Sequence, residues 1–264
     1  MTSSTTTQPS SVTSPLAGRR AVVTGSTSGI GAATARLLAS RGAHVVVTGR
    51  DAARGGSVVA EIERAGGAAV FVAADLTAAP DELRDTARAW VDALGGPVDL
   101  LVHNAALCPA VDTLALTDDD LQATFAVNVR APHVLTAALA PGMVDHGHAS
   151  IVVIGSWMAT VGHPFVGFYS ATKAAEAQLA RSWAAEFGPS GVRVNTVAPG
   201  ATRTPVNDGA DDVVTAMTAG TPAGRPGTPD EVAAAVAWVV SDDAAYVHGA
   251  VIPVDGGITA ARTA

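Results

Sequence analysis

The sequence has one cysteine, Cys108, and few aromatic residues, which make up 4% of its 264 positions. A single cysteine excludes a disulfide within the chain and a zinc site built from several cysteines, and we expect no bound metal. Lysine and arginine together number 16 against 24 aspartate and glutamate residues, and they form no basic cluster. This balance argues against a nucleic acid or an anionic membrane as the main partner.

Long apolar segments are also missing, since no stretch approaches the ~20 apolar residues that span a bilayer. Residues 1–16 are rich in Ser and Thr and lack the basic start and apolar run of a signal peptide. We predict that this segment is a disordered tail, that residues 17–258 form one domain and that residues 259–264 form a second tail. The expected location is the cytoplasm.

Short apolar segments alternate with longer helical patterns from Arg20 onward. The apolar segments have no polar face, which is typical of a parallel sheet covered by helices on both sides. Right-handed crossovers then predict an α/β fold, a single doubly wound Rossmann-like domain with three α/β/α layers. The predicted strands are 21–24, 44–48, 69–73, 98–102, 150–154, 192–197 and 251–254, and the predicted helices are 30–41, 52–65, 80–94, 118–139, 168–187 and 230–240.

A glycine-rich loop follows the first predicted strand and opens directly into the first helix. Glycines there let the backbone turn tightly and approach a pyrophosphate, whose charge the helix N-terminus favours. An ordinary tight turn is the alternative, but the position between first strand and first helix favours dinucleotide binding. The residues of this loop are Gly25, Ser26, Thr27, Ser28, Gly29, Ile30 and Gly31.

The second predicted strand ends at Gly49 and Arg50, where a dinucleotide fold meets the adenosine ribose. An acidic residue would bind a free 2′-hydroxyl, whereas the planar guanidinium of arginine suits a 2′-phosphate. We therefore predict NADP(H) rather than NAD(H). A solvated arginine is the competing interpretation, and Arg54 is a second candidate for the same role.

The catalytic candidates are Tyr169 and Lys173. The chain has fifteen arginines but a single lysine, Lys173, and only two tyrosines. Lys173 lies four residues after Tyr169. That spacing places both side chains on the same face of a helix. A phenol with a pKa of about 10 is a poor proton donor near neutrality, and a cation about 4 Å away is worth roughly three pKa units. Ser156 ends the fifth strand and is suited to hold a substrate oxygen, and Asn128 is a polar group within an apolar helix.

These motifs resemble the short-chain dehydrogenase/reductase family over residues 17–258. The resemblance makes Asn128, Ser156, Tyr169 and Lys173 a catalytic tetrad. It implies cofactor contacts, which also include Tyr169 and Lys173, at Asp75, Leu76, Asn104, Ala105, Pro199, Gly200, Thr202 and Thr204. The chain departs from the family pattern Asn-Asn-Ala-Gly, because it reads His103-Asn104-Ala105-Ala106.

The resemblance implies that a nicotinamide hydride reduces a carbonyl while Tyr169 protonates its oxygen. Ser156 would position that oxygen, Lys173 would lower the pKa of the phenol and bind the ribose, and Asn128 would complete a proton path through water. A homotetramer or homodimer, packed through the helices that carry Asn128 and Tyr169, is also implied.

The substrate is expected to be a small or medium, largely apolar ketone or secondary alcohol. Alternatives are a 3-oxoacyl chain on an acyl carrier protein, an NAD-dependent alcohol and a cofactor-binding regulator without turnover. A carrier is disfavoured because residues 145–150 contain no Lys or Arg and the net charge is −8. Cys108 is interpreted as a small buried filler. The residues expected near the pocket are Cys108, Trp157, Met158, Val161, His163, Phe165 and a loop from Thr202 to about Met217.

Overall fold

The computed structural model describes residues 14–205, 209, 211–261 and 263. Within these residues the strands are β1 (Arg20–Val23), β2 (His44–Gly49), β3 (Ala68–Ala73), β4 (Leu100–His103), β5 (Ala149–Ile154), β6 (Val192–Pro199) and β7 (Val251–Val254). They form one parallel sheet in the order β3-β2-β1-β4-β5-β6-β7. The strand order reverses between β1 and β4, which is where ligands bind in open sheets of this kind.

Helices cover both faces of the sheet. They are α1 (Gly29–Ser40), α2 (Ala52–Arg64), α3 (Pro80–Leu94), α4 (Asp118–Phe125), α5 (Ala131–His146), α6 (Gly167–Phe187), α7 (Asp211–Thr218) and α8 (Pro229–Val239). One apolar core packs α3, α5 and α6 against the sheet around Trp90 and Leu135. The other packs α1, α2 and α8 around Leu38 and Val236. The predicted doubly wound α/β/α fold is therefore confirmed.

The helix predicted over residues 118–139 is interrupted by a π turn and extends to His146. After α4, one turn of π-helix spans Ala126–Arg130, in which the N–H of Ala131 donates to the carbonyl of Ala126 five residues earlier. A π turn inserts one residue into an α-helix and is frequent at functional sites. Apolar spacing alone did not reveal this inserted residue.

Two boundaries differ from the prediction. Leu16, placed in the N-terminal tail, is 1% exposed and its N–H donates to the carbonyl of Arg41 at 2.8 Å, so the packed domain includes it. Residues 1–13 of that tail lie outside the described residues. Part of the segment predicted as a loop after Thr202 forms α7, whose first turn carries Asp211 and Asp212, as a helix N-terminus favours.

None of the described helices is long and apolar enough to cross a bilayer.

Candidate active site

The loops after β1 and β4 are fastened together at the carboxyl edge of the sheet. The hydroxyl of Thr24 accepts hydrogen bonds from the N–H groups of Asn104 and Ala105 at 2.9 and 3.1 Å. The side-chain amide of Asn104 donates back to the carbonyl of Thr24 at 2.8 Å. The predicted cofactor residues Asn104 and Ala105 therefore pack directly against the glycine loop.

Two glycines in this loop have no room for a side chain. A Cβ at Gly25, whose φ is +64°, would lie 2.9 Å from the Cα of Ala105. A Cβ at Gly31 would lie 2.5 Å from both the carbonyl oxygen of Gly25 and Nδ2 of Asn104. The close backbone packing explains why glycine is required at both positions.

Ser26 holds the loop to the sheet. Its hydroxyl donates to the carbonyl of Val23 at 2.6 Å and accepts from the N–H of Thr48 at 2.9 Å. The side chain is fully buried, so its hydroxyl is used within the protein. We interpret Ser26 as a residue that positions the loop.

The N-terminus of α1 fits the pyrophosphate of a dinucleotide. Its cap residue Ser28 makes no side-chain cap, and its first turn carries no acidic residue. By contrast, α2 and α8 are capped by the side chains of Asp51 and Thr228. The uncapped N–H groups of α1 are thus available to an anion, with Thr27 and Ile30 partly exposed beside them.

The two arginines that are candidates for binding a 2′-phosphate lie just after β2 and have different surroundings. Arg50 is exposed and makes no ion pair within the described part of the chain. Arg54 is held by Asp51, with 2.7 Å between its Nε and the carboxylate. A side chain at Gly49 would meet Thr27 at 2.8 Å, so an acidic residue cannot stand there without rearrangement. Arg50 is therefore the better placed of the two.

Asp75 and Leu76 follow β3 on a segment that is tied down locally. The pKa of Asp75 is lowered, first by hydrogen bonds from the N–H and hydroxyl of Thr77 at 2.9 and 2.7 Å, and further by the charge of Arg50. Leu76 is buried. The guanidinium of Arg130, from the π turn, donates to the carbonyl of Thr77 at 2.7 Å. The segment predicted to contact adenine is thus fixed beside Arg50.

Ser156, Tyr169 and Lys173 meet where β5 ends and α6 begins. The hydroxyl of Ser156 acts on the phenol of Tyr169 and lowers its pKa, which places the two side chains close together. Ser156 also accepts from the N–H of Met158 at 3.1 Å, which fixes the hydroxyl. Nζ of Lys173 lies 5.9 Å from the centroid of the Tyr169 ring. Three of the four predicted catalytic residues therefore form one cluster.

Lys173 is 1% exposed, so its charge must be compensated inside the protein. Nζ donates to the carbonyl of Ile154 at 2.8 Å and lies 2.7 Å from a carboxylate oxygen of Glu176. An ammonium group has three hydrogens, so one remains for a further acceptor such as a ribose hydroxyl. This donor set fits the cofactor that the resemblance implies.

Lys173 lowers the pKa of Tyr169, as predicted, but the net shift of that pKa is upward. Burial raises the pKa of Tyr169, and the charge of Lys173 only partly opposes this. The charges of Cys108 and Glu176 raise it further. The prediction considered the lysine alone and omitted the desolvation of the phenol.

Asn128 lies in the π turn and is fully buried. Its carbonyl accepts from the N–H of Leu107 at 2.8 Å, and its amide donates to the carbonyl of Leu107 and to the hydroxyl of Thr172, both at 2.9 Å. Both amide hydrogens are therefore used. Asn128 ties the loop after β4 to the helix that carries Tyr169 and Lys173.

The segment after β6 reaches across to the glycine loop. Pro199 is the last residue of β6, and the segment begins at Gly200, where a Cβ would lie 2.6 Å from the Cα of Asp255. The hydroxyl of Thr202 donates to the carbonyl of Gly200 at 3.0 Å. The side chain of Thr204 would lie 3.5 Å from a Cβ at Gly29. This contact places the predicted nicotinamide segment beside the start of α1.

Of the predicted pocket residues that the structure describes, only Cys108 differs from expectation in its exposure. Cys108 is exposed rather than buried, while Trp157 is buried and packs edge-on against His163 at 6.2 Å between ring centroids. Met158 and His163 are partly exposed, and Val161 is exposed. Phe165 is exposed with a φ of +68°, in the left-handed region that favours glycine. Residues 206–208 and 210 of the loop predicted near the pocket lie outside the described residues.

Comparison with known proteins gives a family. A family model described as Enoyl-(Acyl carrier protein) reductase matches residues 25–259. The chain is 42% identical over 256 residues to cis-4-hydroxycyclohexanecarboxylate dehydrogenase of Sinomonas cyclohexanicum, covering 92% of this chain and 97% of that protein. It is 38% identical over 250 residues to L-rhamnose 1-dehydrogenase (NAD(P)(+)) of Sphingomonas sp. (strain SKA58), again covering 92% and 97%.

A solved structure of a short chain dehydrogenase/reductase family protein is 45% identical and superposes with a TM-score of 0.85, covering 94% of this chain and 100% of that one. The chain belongs to the short-chain dehydrogenase/reductase family. Its members are oxidoreductases that bind a nicotinamide cofactor, as the resemblance in the sequence implied.

The family pattern is altered at His103, which is buried at the end of β4. Its Nε2 lies 2.8 Å from the hydroxyl of Thr136 on α5. Burial and the charge of Lys173 lower the pKa of His103 to about 3, so the ring is neutral. The imidazole thus takes up a buried polar position without adding charge to this site. Ala106, the second departure from the pattern, is exposed.

Glu176 is a residue of the site that the sequence analysis missed. It follows Lys173 by three residues on α6 and is 1% exposed. The signal was present in the sequence, because positions three apart share a helix face. A carboxylate on the buried face that holds the one lysine could have been recognised as its partner.

Proposed function

We propose that this short-chain dehydrogenase/reductase interconverts a small or medium, largely apolar ketone and its secondary alcohol with NADP(H). The observation that carries the proposal is the cluster of Ser156, Tyr169 and Lys173, which lies at the same carboxyl edge of the sheet as the uncapped N-terminus of α1. A protein that only bound the cofactor would have no need of a phenol close to Ser156 and flanked by a buried cation. The alternative of a regulator without turnover is disfavoured on this ground.

The reaction needs a proton donor at the carbonyl oxygen and a fixed orientation. When bound, the reduced nicotinamide supplies the hydride that adds to the carbonyl carbon. Ser156 donates a hydrogen bond to the substrate oxygen, and Tyr169 gives that oxygen its proton. Lys173 binds the ribose with its remaining N–H and stabilises the phenolate. In alcohol oxidation the same phenolate accepts the hydroxyl proton.

Arg50 supports NADP(H) as the preferred cofactor. Its guanidinium is exposed at the end of β2, and the closeness of Gly49 to Thr27 leaves no space for an acidic residue that would bind a free 2′-hydroxyl. The name of the relative from Sphingomonas includes both NAD and NADP. An NAD-dependent alcohol dehydrogenase is therefore the competing assignment.

A free small molecule is favoured as substrate. Near Ser156 in the chain, Phe165 is exposed, Met158 is partly exposed, and the buried ring of Trp157 packs against His163, so the side chains there are mostly apolar with one polar group. The relative from Sinomonas is named for an alicyclic hydroxyl compound, a secondary alcohol on a carbon ring. The family model is described as Enoyl-(Acyl carrier protein) reductase, but the net charge of −8 disfavours an acidic carrier as the substrate of this chain.

A second copy of the chain is the expected partner. An apolar cavity of about 350 Å³ lies between α4 and the start of α6, and Phe168 and Leu121 are among its lining residues. Leu121 and Phe125 of α4 are exposed beside it. These exposed apolar side chains support a homodimer or homotetramer packed through the helices near Asn128 and Tyr169. Light scattering after size exclusion tests this, and a monomer would contradict it.

The function is tested by a panel of ketones and secondary alcohols with NADPH and NADH, followed by absorbance of the reduced nicotinamide. We expect turnover of at least one free alicyclic or aliphatic ketone, faster with NADPH. Cofactor binding without turnover of any carbonyl or alcohol would favour the regulator. Turnover only of carrier-bound 3-oxoacyl chains would favour the carrier reductase.

A further inference from the structure

Tyr169, Lys173 and Glu176 lie along one face of α6, and the last two form a buried ion pair. Nζ of Lys173 and Oε2 of Glu176 are 2.7 Å apart, and the two side chains are 2% and 1% exposed. Neither oxygen of Glu176 has a hydrogen bond of regular geometry among the described residues. A buried carboxylate held by so few partners calls for an explanation beyond packing.

The position of Glu176 bears directly on the ammonium group. Nζ donates one of its three hydrogens to the carbonyl of Ile154, and the carboxylate of Glu176 occupies a second side of the ammonium group at 2.7 Å. Only one hydrogen is left for the cofactor. Glu176 and Ile154 together therefore fix the direction in which Lys173 presents its remaining hydrogen.

The carboxylate also acts on the charge that Tyr169 experiences. Burial raises the pKa of Glu176 to about 7, although Lys173 opposes this. Burial by itself would lower the pKa of Lys173, but the charges of Glu176 and Tyr169 raise it overall. An ionised Glu176 offsets the positive charge beside the phenol, whereas a protonated Glu176 leaves that charge uncompensated.

The titratable groups around this pair come from two further elements. Cys108, on the loop after β4, interacts with both Tyr169 and Lys173. His103, on β4, is neutral because of its burial and the charge of Lys173. Within the described chain, Glu176 is thus the carboxylate that acts on Lys173.

We propose that Glu176 is a positioning residue of the active site, which orients Lys173 and whose charge state controls how strongly Lys173 stabilises the Tyr169 phenolate. This inference rests on the proposed function, because it assigns Glu176 a role in the reaction of Tyr169. In alcohol oxidation, which needs the phenolate, loss of the negative charge would shift the rise of kcat/KM to lower pH.

The test reads the ionisation of Tyr169 directly. The chain has two tyrosines, and Tyr246 is fully exposed, so Tyr246→Phe leaves Tyr169 as the one phenol. Ultraviolet absorbance of the phenolate, followed after rapid pH jumps, gives its midpoint in that background. Glu176→Gln is expected to lower the midpoint by about one pH unit, the usual scale of shifts caused by protein surroundings.

Glu186→Gln is the matched control, since Glu186 lies on the same helix but is exposed, and it should leave the midpoint unchanged. If Glu176→Gln does not fold, as judged by circular dichroism, Glu176→Asp is used instead. It keeps the charge but withdraws it from Nζ, so a smaller shift in the same direction is expected. A midpoint at or above that of the parent, in whichever variant folds, overturns the proposal.

This titration uses neither cofactor nor substrate, so its result is independent of the proposed function. A chain that turned over no carbonyl would refute the function and leave the coupling of Glu176 to Tyr169 measurable. An active enzyme with an unchanged Tyr169 midpoint in Glu176→Gln would refute the role of Glu176 alone.

Discussion

Arg50→Ala is expected to weaken NADPH binding much more than NADH binding. Hydrogen bonds to charged groups contribute about 1.5–3 kcal/mol, and the lower value applies to Arg50 because its side chain is exposed to water. A loss of about 1.5 kcal/mol corresponds to roughly a tenfold rise in Kd. NADH lacks the 2′-phosphate, so its Kd should change less than about twofold.

The assay is titration of each reduced cofactor followed by nicotinamide fluorescence, with Arg54→Ala as the matched control. Arg54 is four residues away and already held by Asp51, with 2.7 Å between Nε and the carboxylate, so its loss should affect neither cofactor selectively. Equal weakening of NADPH and NADH in Arg50→Ala would refute the assignment. A larger NADPH effect in Arg54→Ala would transfer the role to that residue.

Two further substitutions test the geometry of the site. Lys173→Arg keeps the positive charge, but a planar guanidinium does not fit between the carbonyl of Ile154 and Glu176. The steady-state kcat should therefore fall by about 100-fold. A near-normal kcat would contradict the role of a compact charge. Gly31→Ala places a Cβ 2.5 Å from the carbonyl oxygen of Gly25, so urea unfolding should show a loss of about 1–3 kcal/mol and NADPH should bind more weakly. Gly56→Ala is its control, since a Cβ there meets nothing within 4 Å; equal stabilities of the two variants would count against the packing argument.

Much of the fold was predictable because its strands are short, apolar and regularly spaced. The segment Val251–Val254 was predicted with its observed bounds, since Gly and Asp residues flank it. The π turn at Ala126–Arg130 was not predicted, because one inserted residue leaves the apolar spacing of the flanking helices almost unchanged. The burial of Leu16 was missed because one apolar residue after a polar tract carries no periodic pattern.

Residues of the site could be predicted from the sequence where the proposed chemistry requires a particular residue type. Tyr169 and Lys173 stood out because the chain uses lysine once. The raised pKa of Tyr169 was not predictable, since burial and the charge of Glu176 depend on the packing of α6. Cys108 was misjudged because a lone cysteine is more often buried than exposed.

The central claim, that Tyr169 is the acid and base of a ketone reduction, is tested most directly by Tyr169→Phe. The substitution removes the phenolic hydroxyl and keeps the ring, so NADPH should still bind, although one implied cofactor contact is lost. Oxidation of NADPH with the best ketone of the panel should fall by about 100-fold or more, the scale of a general acid's contribution. A variant that binds NADPH and reduces the ketone at the rate of the parent chain would contradict the account.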